Sequence, residues 1–391
     1  MSRRMDDMAR HVSVQWLMCS VTDDIGILSC VAPWICFAIE HKVQNLEINA
    51  FYNTPDEEWL PIRLPQSILI CKALVKLKLY SENCDFVFDI PDSVVCFPSL
   101  KILHFEAQHS NSNLMQKFFR SCPVLEELTI HVDIEHNENV LTFDITIPTL
   151  KTLEIHLESD WVGTQHGLIH KFVARARNLE QLYINDDTLA SFVIDETPYI
   201  SDASLDGCLT CFNMLAQYEL SKDEASRTMV LLRAIKNTKF LSLSEGVMRV
   251  LILAFDGYLP TFPNLIRLGA GIDAYFGWKL LPHFLNNSPN LEVLCLKKEY
   301  CGHMPLERFT YFESENVPSC LLLHVEEIEM INMMGDFDEL EVIRYLLKNS
   351  KVLKSFSVGF SKYIDPKIKK YLRNQISRFP MGSDLREVEF Y

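Results

Sequence analysis

The sequence predicts an α/β solenoid, a horseshoe with a parallel sheet on its concave side and helices on its convex side. Three observations carry that expectation. The stretches FPSLKILHFEA, CPVLEELTIHV and IPTLKTLEIHL share one frame, Leu-x-x-Leu-x-apolar: Leu100, Leu103, Phe105; Leu125, Leu128, Ile130; Leu150, Leu153, Ile155. From Leu100 to Leu125 to Leu150 the period is a constant 25 residues. Between frames, apolar residues fall three and four apart and then give way to a polar or proline turn, as in FFRSCPVLEEL and FLNNSPNLEVL. A period of this length with this frame is the leucine-rich-repeat signature. One unit cannot bury its own apolar face, so units stack around a continuous core.

Taken in order, residues 1–30 carry no clear frame, and Val12 to Val21 is apolar without a clean period. We expect this segment to be loosely held. Trp34, Ile35, Ala38 and Ile39 follow helical spacing, and Val43, Leu46 and Ile48 form the first frame. The frame recurs from Leu74, Leu100, Leu125, Leu150 and Leu179, weakens at Leu215 and Thr238, and returns at Leu265, Leu291, Val325, Leu353 and Leu385. Five return segments read as helices: Leu114 to Arg120, Leu168 to Ala176, Met229 to Ile235, Trp278 to Leu285, and Leu340 to Leu347. Acidic Asp186 to Leu209, with Pro198 and Gly207, reads as an irregular unit. Lys297 to Pro318 reads as a long connection. The expected division is therefore 1–30, a repeat region at 31–316, and a C-terminal segment at 317–391 that continues the solenoid.

Composition narrows the function. Apolar residues make up 48% of the 391, an ordinary share for a folded chain, and no run of 18 apolar residues or signal-like start is present. The expected location is inside the cell, cytoplasmic or nuclear, and off the membrane. The twelve cysteines are scattered, as for small buried hydrophobes rather than a disulfide scaffold. The net charge of −15 lies before residue 317, and an acidic surface repels a phosphate backbone, so nucleic acid is not an expected partner.

SCPVLEELTI, SPNLEVLCL, WICFAIEHKVQNLEI and the C-terminal series CLLLHVEEIEM, ELEVIRYLLKNSKVLKSFSV and ISRFPMGSDLREVEFY resemble plant F-box proteins with leucine-rich repeats and an FBD domain. The resemblance covers roughly residues 31–391, with the units in the family's order. It implies the substrate-recognition part of a cullin ubiquitin ligase receptor. Residues 1–30 hold no Leu-Pro pair and no Ser-Lys-Arg-Trp signature of that family's F-box. A truncated or decoy form is the expectation, which puts docking on a Skp-type adaptor in doubt.

Enzymatic readings are weaker. Cys208 and Cys211 have metal-knuckle spacing without a second pair, and His166 and His170 stand four apart with Gly167 where a metalloprotease needs Glu. A metal-dependent enzyme using these residues is the alternative, and a family member with no retained partner is another. Gly269 and Gly271 read as close strand approaches, and the pairs Glu126/Glu127, Asp186/Asp187 and Glu326/Glu327 as solvated faces. Nothing assembles a nucleophile, base and orienter, so no catalytic, cofactor or metal residue is assigned.

The sharper constellation comes from strand alternation. If the frame's apolar residues point inward, its third, fifth and seventh positions point outward and form rows about 4.8 Å apart. The third-position row reads Lys76, Ile102, Glu127, Thr152, Gln181, and the fifth reads Lys78, His104, Thr129, Glu154, Tyr183. The seventh reads Tyr80, Glu106, His131, His156, Asn185. Aromatic, histidine and carboxylate groups side by side suit a protein partner, with Glu127, His131, Glu154, His156 and Tyr183 as the candidate contact set. A merely solvated sheet is the alternative.

Overall fold

The computed structural model describes residues 11–18, 25–52, 60–82, 84–87, 90, 96–107, 112–133, 140–158, 169–195, 199–207, 222–272, 278–298 and 316–391. The chain divides into two compact units, Met1–Pro198 and Tyr199–Tyr391.

In the first unit the order is β1 (His11–Met18), α1 (Ile25–Glu40), β2 (Asn45–Tyr52), β3 (Leu60–Arg63), β4 (Lys76–Glu82), β5 (Cys84–Val87), β6 (Ile102–Ala107), α2 (Ser112–Arg120), β7 (Glu127–Asp133), β8 (Thr142–Thr146), β9 (Thr152–Glu158), β10 (Lys171–Arg175), β11 (Gln181–Asp186) and β12 (Ser191–Asp195). Strands β1, β2, β4, β6, β7, β9 and β11 form the main sheet in that order, every pair parallel. Each return segment brings the chain back to the same end, which is what parallel pairing requires.

The second unit holds β13 (Asp202–Asp206), α3 (Lys222–Ala234), β14 (Phe240–Leu243), α4 (Glu245–Ala254), β15 (Arg267–Ile272), α5 (Leu281–Asn287), β16 (Val293–Lys298), α6 (Ser319–Leu323), β17 (Glu327–Met333), α7 (Phe337–Asn349), β18 (Ser355–Phe360), α8 (Pro366–Ile376) and β19 (Glu389–Phe390). Its strands pair in parallel in chain order, and the helices form most of its return segments. This is a leucine-rich-repeat solenoid architecture in both units. No described helix is long and apolar enough to cross a membrane.

One backbone device recurs at successive entries to the sheet among the described residues. The carbonyl at the frame's second position accepts two amides from the next repeat. Val75 O takes Lys101 N and Ile102 N at 2.8 and 3.1 Å, and Lys101 O takes Glu126 N and Glu127 N at 2.8 and 2.9 Å. Glu126 O and Lys151 O continue the series, as do Lys239 O, Ile266 O, Glu292 O and Glu326 O in the second unit. With register set there, alternation sends Leu128 and Leu153 inward as direct partners, both fully buried.

The return side of the first unit departs from the helices expected there, carrying the parallel pair β3 and β5 and a three-stranded parallel sheet as well as α1 and α2. Leu168 to Ala176 is not a helix: Lys171–Arg175 is a strand in a parallel sheet ordered β12, β10, β8. Phe172 stacks between Phe143 and Phe192, at 4.8 and 5.3 Å, so the core takes this short apolar run as strand. Periodicity alone does not separate the two conformations at such length. Asp186 to Leu209 is likewise less irregular than expected, because it contains β12 and β13. There the frame is Ile200, Ala203, Leu205, all buried, with Ala203 and Leu205 opposite Leu241 and Leu243. Alanine in the second leucine place hid it. The weak frame at Leu215 lies outside the described residues, as does most of the expected connection after Lys298. Within residues 1–30, His11–Met18 pairs in parallel with β2, with Val12 and Val14 opposite Leu46 and Ile48, and α1 begins at Ile25. Those two stretches carry regular secondary structure that the sequence did not announce.

Two contacts tighten the second unit. A Cβ on Gly271 would come within 2.2 Å of the Glu245 amide nitrogen, so its bare backbone admits the start of α4. Lys298, 8% exposed, donates to Asp336 at 2.5 Å and to Glu339, whose other oxygen accepts from Met334 N at 2.9 Å and Gly335 N at 2.6 Å. Burial alone would lower the lysine's pKa, but the two carboxylates outweigh it and hold Lys298 above its ordinary range.

Leu153→Ala should cost about 2–5 kcal/mol by transfer loss plus cavity. Urea unfolding of the purified chain checks this, and a parent-like midpoint would contradict the register. Gly271→Ala should cost roughly 1–3 kcal/mol by overpacking against α4, read by the same titration.

Candidate functional site

The open face of the first unit's main sheet is where the sequence-derived rows fall. Lys78, His104, Thr129, Glu154 and Tyr183 are successive register partners across β4, β6, β7, β9 and β11. Glu106, His131, His156 and Asn185 form the next row, and Ile102, Glu127, Thr152 and Gln181 the one before. All five candidate residues therefore lie on one face of three adjacent strands. Their side chains stand out because Leu128, Ile130, Leu153, Ile155, Leu182 and Ile184 fill the inward positions.

The centre of the patch is a hydrogen-bonded cluster. The imidazoles of His131 and His156 stack with centroids 4.0 Å apart and an interplanar angle of 22°. His156 Nε2 lies 2.9 Å from Glu154 Oε1, and Thr129 Oγ1 donates to Glu154 Oε2 at 3.1 Å. Thr152 Oγ1 donates to Gln181 Oε1 at 3.0 Å, while His131 Nδ1 stands 4.0 Å from Glu158 Oε1. Glu154 is thus held from both sides, and one carboxylate orients side chains on two strands.

Burial sets the charges here. It pushes His131 down to about 4, with the neighbouring His156 adding to the effect and Glu154 opposing it. His104 is lowered by burial and then by Lys78 and Lys76. For Glu154, burial alone would raise the pKa, but the His156 and Thr129 hydrogen bonds outweigh it and leave the carboxyl below its usual range. At neutral pH the patch presents uncharged imidazoles at 104 and 131 beside the ionised Glu154.

The remaining sequence candidates have structural roles or lie outside view. Lys101 Nζ and Lys151 Nζ each reach Glu126 at 2.7 Å, an ion triad across three repeats that holds Glu126 at about 2. Lys354 pairs with Glu326 at 2.6 Å, and Asp186 accepts from Thr188 N and Ala190 N at 2.8 Å each, forming a turn. His170 is buried, and its Nδ1 accepts from Leu141 N at 3.1 Å. His166, Cys208 and Cys211 lie outside the described residues. Among the described residues no three His, Cys, Asp or Glu side chains are placed to hold a metal ion.

A cluster in the second unit went unread in the sequence. Tyr391 packs on Gly359 and donates its hydroxyl to Glu329 at 2.9 Å, with the Cys295 thiol 3.7 Å from the same carboxylate. Burial, then Glu329, pushes Cys295 up to about 11, so it is a protonated thiol rather than a nucleophile. With the Glu245 amide over Gly271 and Tyr391 over Gly359, this sheet face is covered in two places by its own chain.

Two family models match the chain. Residues 31–201 match the family model described as FBD-associated F-box protein At5g56370, LRR repeats, and residues 313–358 match the FBD model. The chain is 29% identical over 337 residues to the F-box/FBD/LRR-repeat protein At5g22660 of Arabidopsis thaliana, covering 84% of this chain and 70% of that one. It is 30% identical over 348 residues to the FBD-associated F-box protein At3g50710 of the same plant, covering 86% and 73%. With the F-box/FBD/LRR-repeat protein At5g56420, also from Arabidopsis thaliana, it shares 26% over 365 residues, 92% and 77% of the two chains.

Because the folded pKa of His131 is depressed from about 6.5 unfolded to about 4, its contribution to stability is complete above pH 6.5. That contribution is lost as pH falls toward 4. His131→Gln should therefore show a smaller drop in urea midpoint between pH 7 and pH 5 than the parent. Equal drops in both proteins would show that His131 titrates normally.

Proposed function

The chain belongs to the plant family of FBD-associated F-box proteins with leucine-rich repeats, and from that premise we propose that it recognises a protein partner as the substrate-binding part of a ubiquitin ligase receptor. Family membership gives the general role, protein interaction in a ubiquitin ligase setting. The single observation that carries the site is the patch of Glu127, His131, Glu154, His156 and Tyr183 on one face of β7, β9 and β11. Tyr183 supplies an aromatic anchor of the kind enriched at protein-recognition surfaces, and the carboxylates held on the sheet beside it supply charge complementarity.

The charge state supports a partner chemistry. Uncharged imidazoles beside a fixed Glu154 carboxylate, with Glu127 and Glu158 in adjoining rows, favour a basic side chain flanked by apolar ones. The corresponding face of the second unit suits this less well, since the chain itself covers Gly271 and Gly359. The proposed division of labour is a repeat region at 31–316 that holds the partner and an FBD-type segment at 317–391 that closes the solenoid, acting inside the cell.

Proximity labelling in plant cells should identify the partner, and His156→Ala with Tyr183→Ala should then weaken its capture with melting unchanged. A partner retained equally by the double variant would move the site off this face. A decoy form, which binds the partner without the adaptor, is the proposal's second version, and co-purification with a Skp-type adaptor and cullin, beside a relative that carries an F-box, tests it. Substrate bound without adaptor supports that version, and comparable recovery of adaptor contradicts it.

A further inference from the structure

Helix α8 buries only Leu372 and Ile376. The rest of its surface faces outward, including Ile368 and Tyr371, 51% and 65% exposed and one turn apart on a shared face. Tyr363, just before the helix, is 70% exposed.

The charge of this segment is opposite in sign to that of the chain as a whole. Residues 362–373 carry Lys362, Lys367, Lys369, Lys370 and Arg373 against Asp365 alone, within a chain of net charge −15. Asp365 is committed as the helix N-cap, its carboxylate accepting from Lys367 N at 2.7 Å. Arg373 lies over the Phe390 ring at 5.8 Å, and Lys362 over Tyr363 at 5.1 Å. Among the described residues no carboxylate pairs with the ammonium groups of Lys367, Lys369 or Lys370. The helix macrodipole does not account for Lys367, which sits in the first turn, where cations are disfavoured.

We propose that this face of α8 is a second docking surface whose occupant is an acidic peptide segment carrying a large apolar side chain. Carboxylates of the segment meet Lys367 and Lys370, and its apolar group packs on Ile368 and Tyr371, giving an anchor inside a charged rim. A short segment fits better than an extended polyanion, since the field of a chain at −15 repels long phosphate arrays and anionic bilayers.

The test sorts a display library of random peptides on the full chain, with counter-selection on Lys367→Glu/Lys370→Glu. Recovered sequences should be rich in Asp and Glu around Leu, Phe or Trp. Their affinity, read by fluorescence anisotropy, should fall on the order of tenfold in the charge-reversed protein and in Ile368→Ala/Tyr371→Ala. All four positions are exposed, so melting curves should stay unchanged. Neutral or basic recovered sequences, or equal binding by both variants, would overturn the proposal. So would tighter binding of single-stranded DNA or phosphatidylserine vesicles that the same reversal abolishes. A concentration-dependent mass lost in the variant would replace the peptide by a second copy of this chain.

Discussion

The main sheet depends on a carbonyl shared by two amides where one repeat enters beside the last, seen from Val75 O to Lys151 O in the first unit and from Lys239 O to Glu326 O in the second. Where Lys101 O takes both Glu126 N and Glu127 N, the incoming strand has no freedom to slide, because a slip of one residue would leave an amide unpaired beside a core edge. Everything downstream is alternation. Leu128 goes in and Thr129 goes out, and the same parity holds on each neighbour, so chemistry written at one frame position becomes a row in space. The solenoid thus converts a one-dimensional period into a two-dimensional surface, and the register shift between β17 and β18 after Met330 stands apart from the unbroken rows of the first unit.

That surface is electrostatically preset. The stacked pair His131 and His156 would repel if both were protonated, and partial burial of His131 resolves the conflict by keeping its ring neutral. Glu154 resolves the opposite conflict, because hydrogen bonds from two strands compensate its desolvation. In the second unit, the same physics serves structure alone: Lys298 and Glu339 are buried together, and the acid also caps the amides before α7. A satisfied buried pair fixes geometry, whereas a half-exposed network is still accessible to a partner.

Strands with Leu at the second leucine place were legible in the sequence, since period and frame agreed from Leu74 to Leu179. The rows followed directly, because side-chain parity needs no tertiary knowledge. What stayed hidden had a physical reason each time. Ala203 is too small to announce a core position, so β13 was passed over. The run 171–175 is short enough to satisfy helix or strand periodicity, and only its stack of Phe143, Phe172 and Phe192 decides. The pairing of β1 with β2 rests on a neighbour rather than on an internal period. The contact between Tyr391 and Glu329 joins residues far apart in sequence, which no local pattern encodes. The direction of the His131 shift also required the structure, because it is a balance of burial against Glu154.

The proposed site puts the partner on the open face of β7, β9 and β11 and not on the return side. Photo-cross-linking tests it most directly: a benzophenone side chain is placed at Thr129 in one protein and at Val193, exposed on β12, in another. Irradiation with the identified partner should yield a covalent adduct from position 129 and none from position 193. Adducts from 193 with none from 129 would contradict the account.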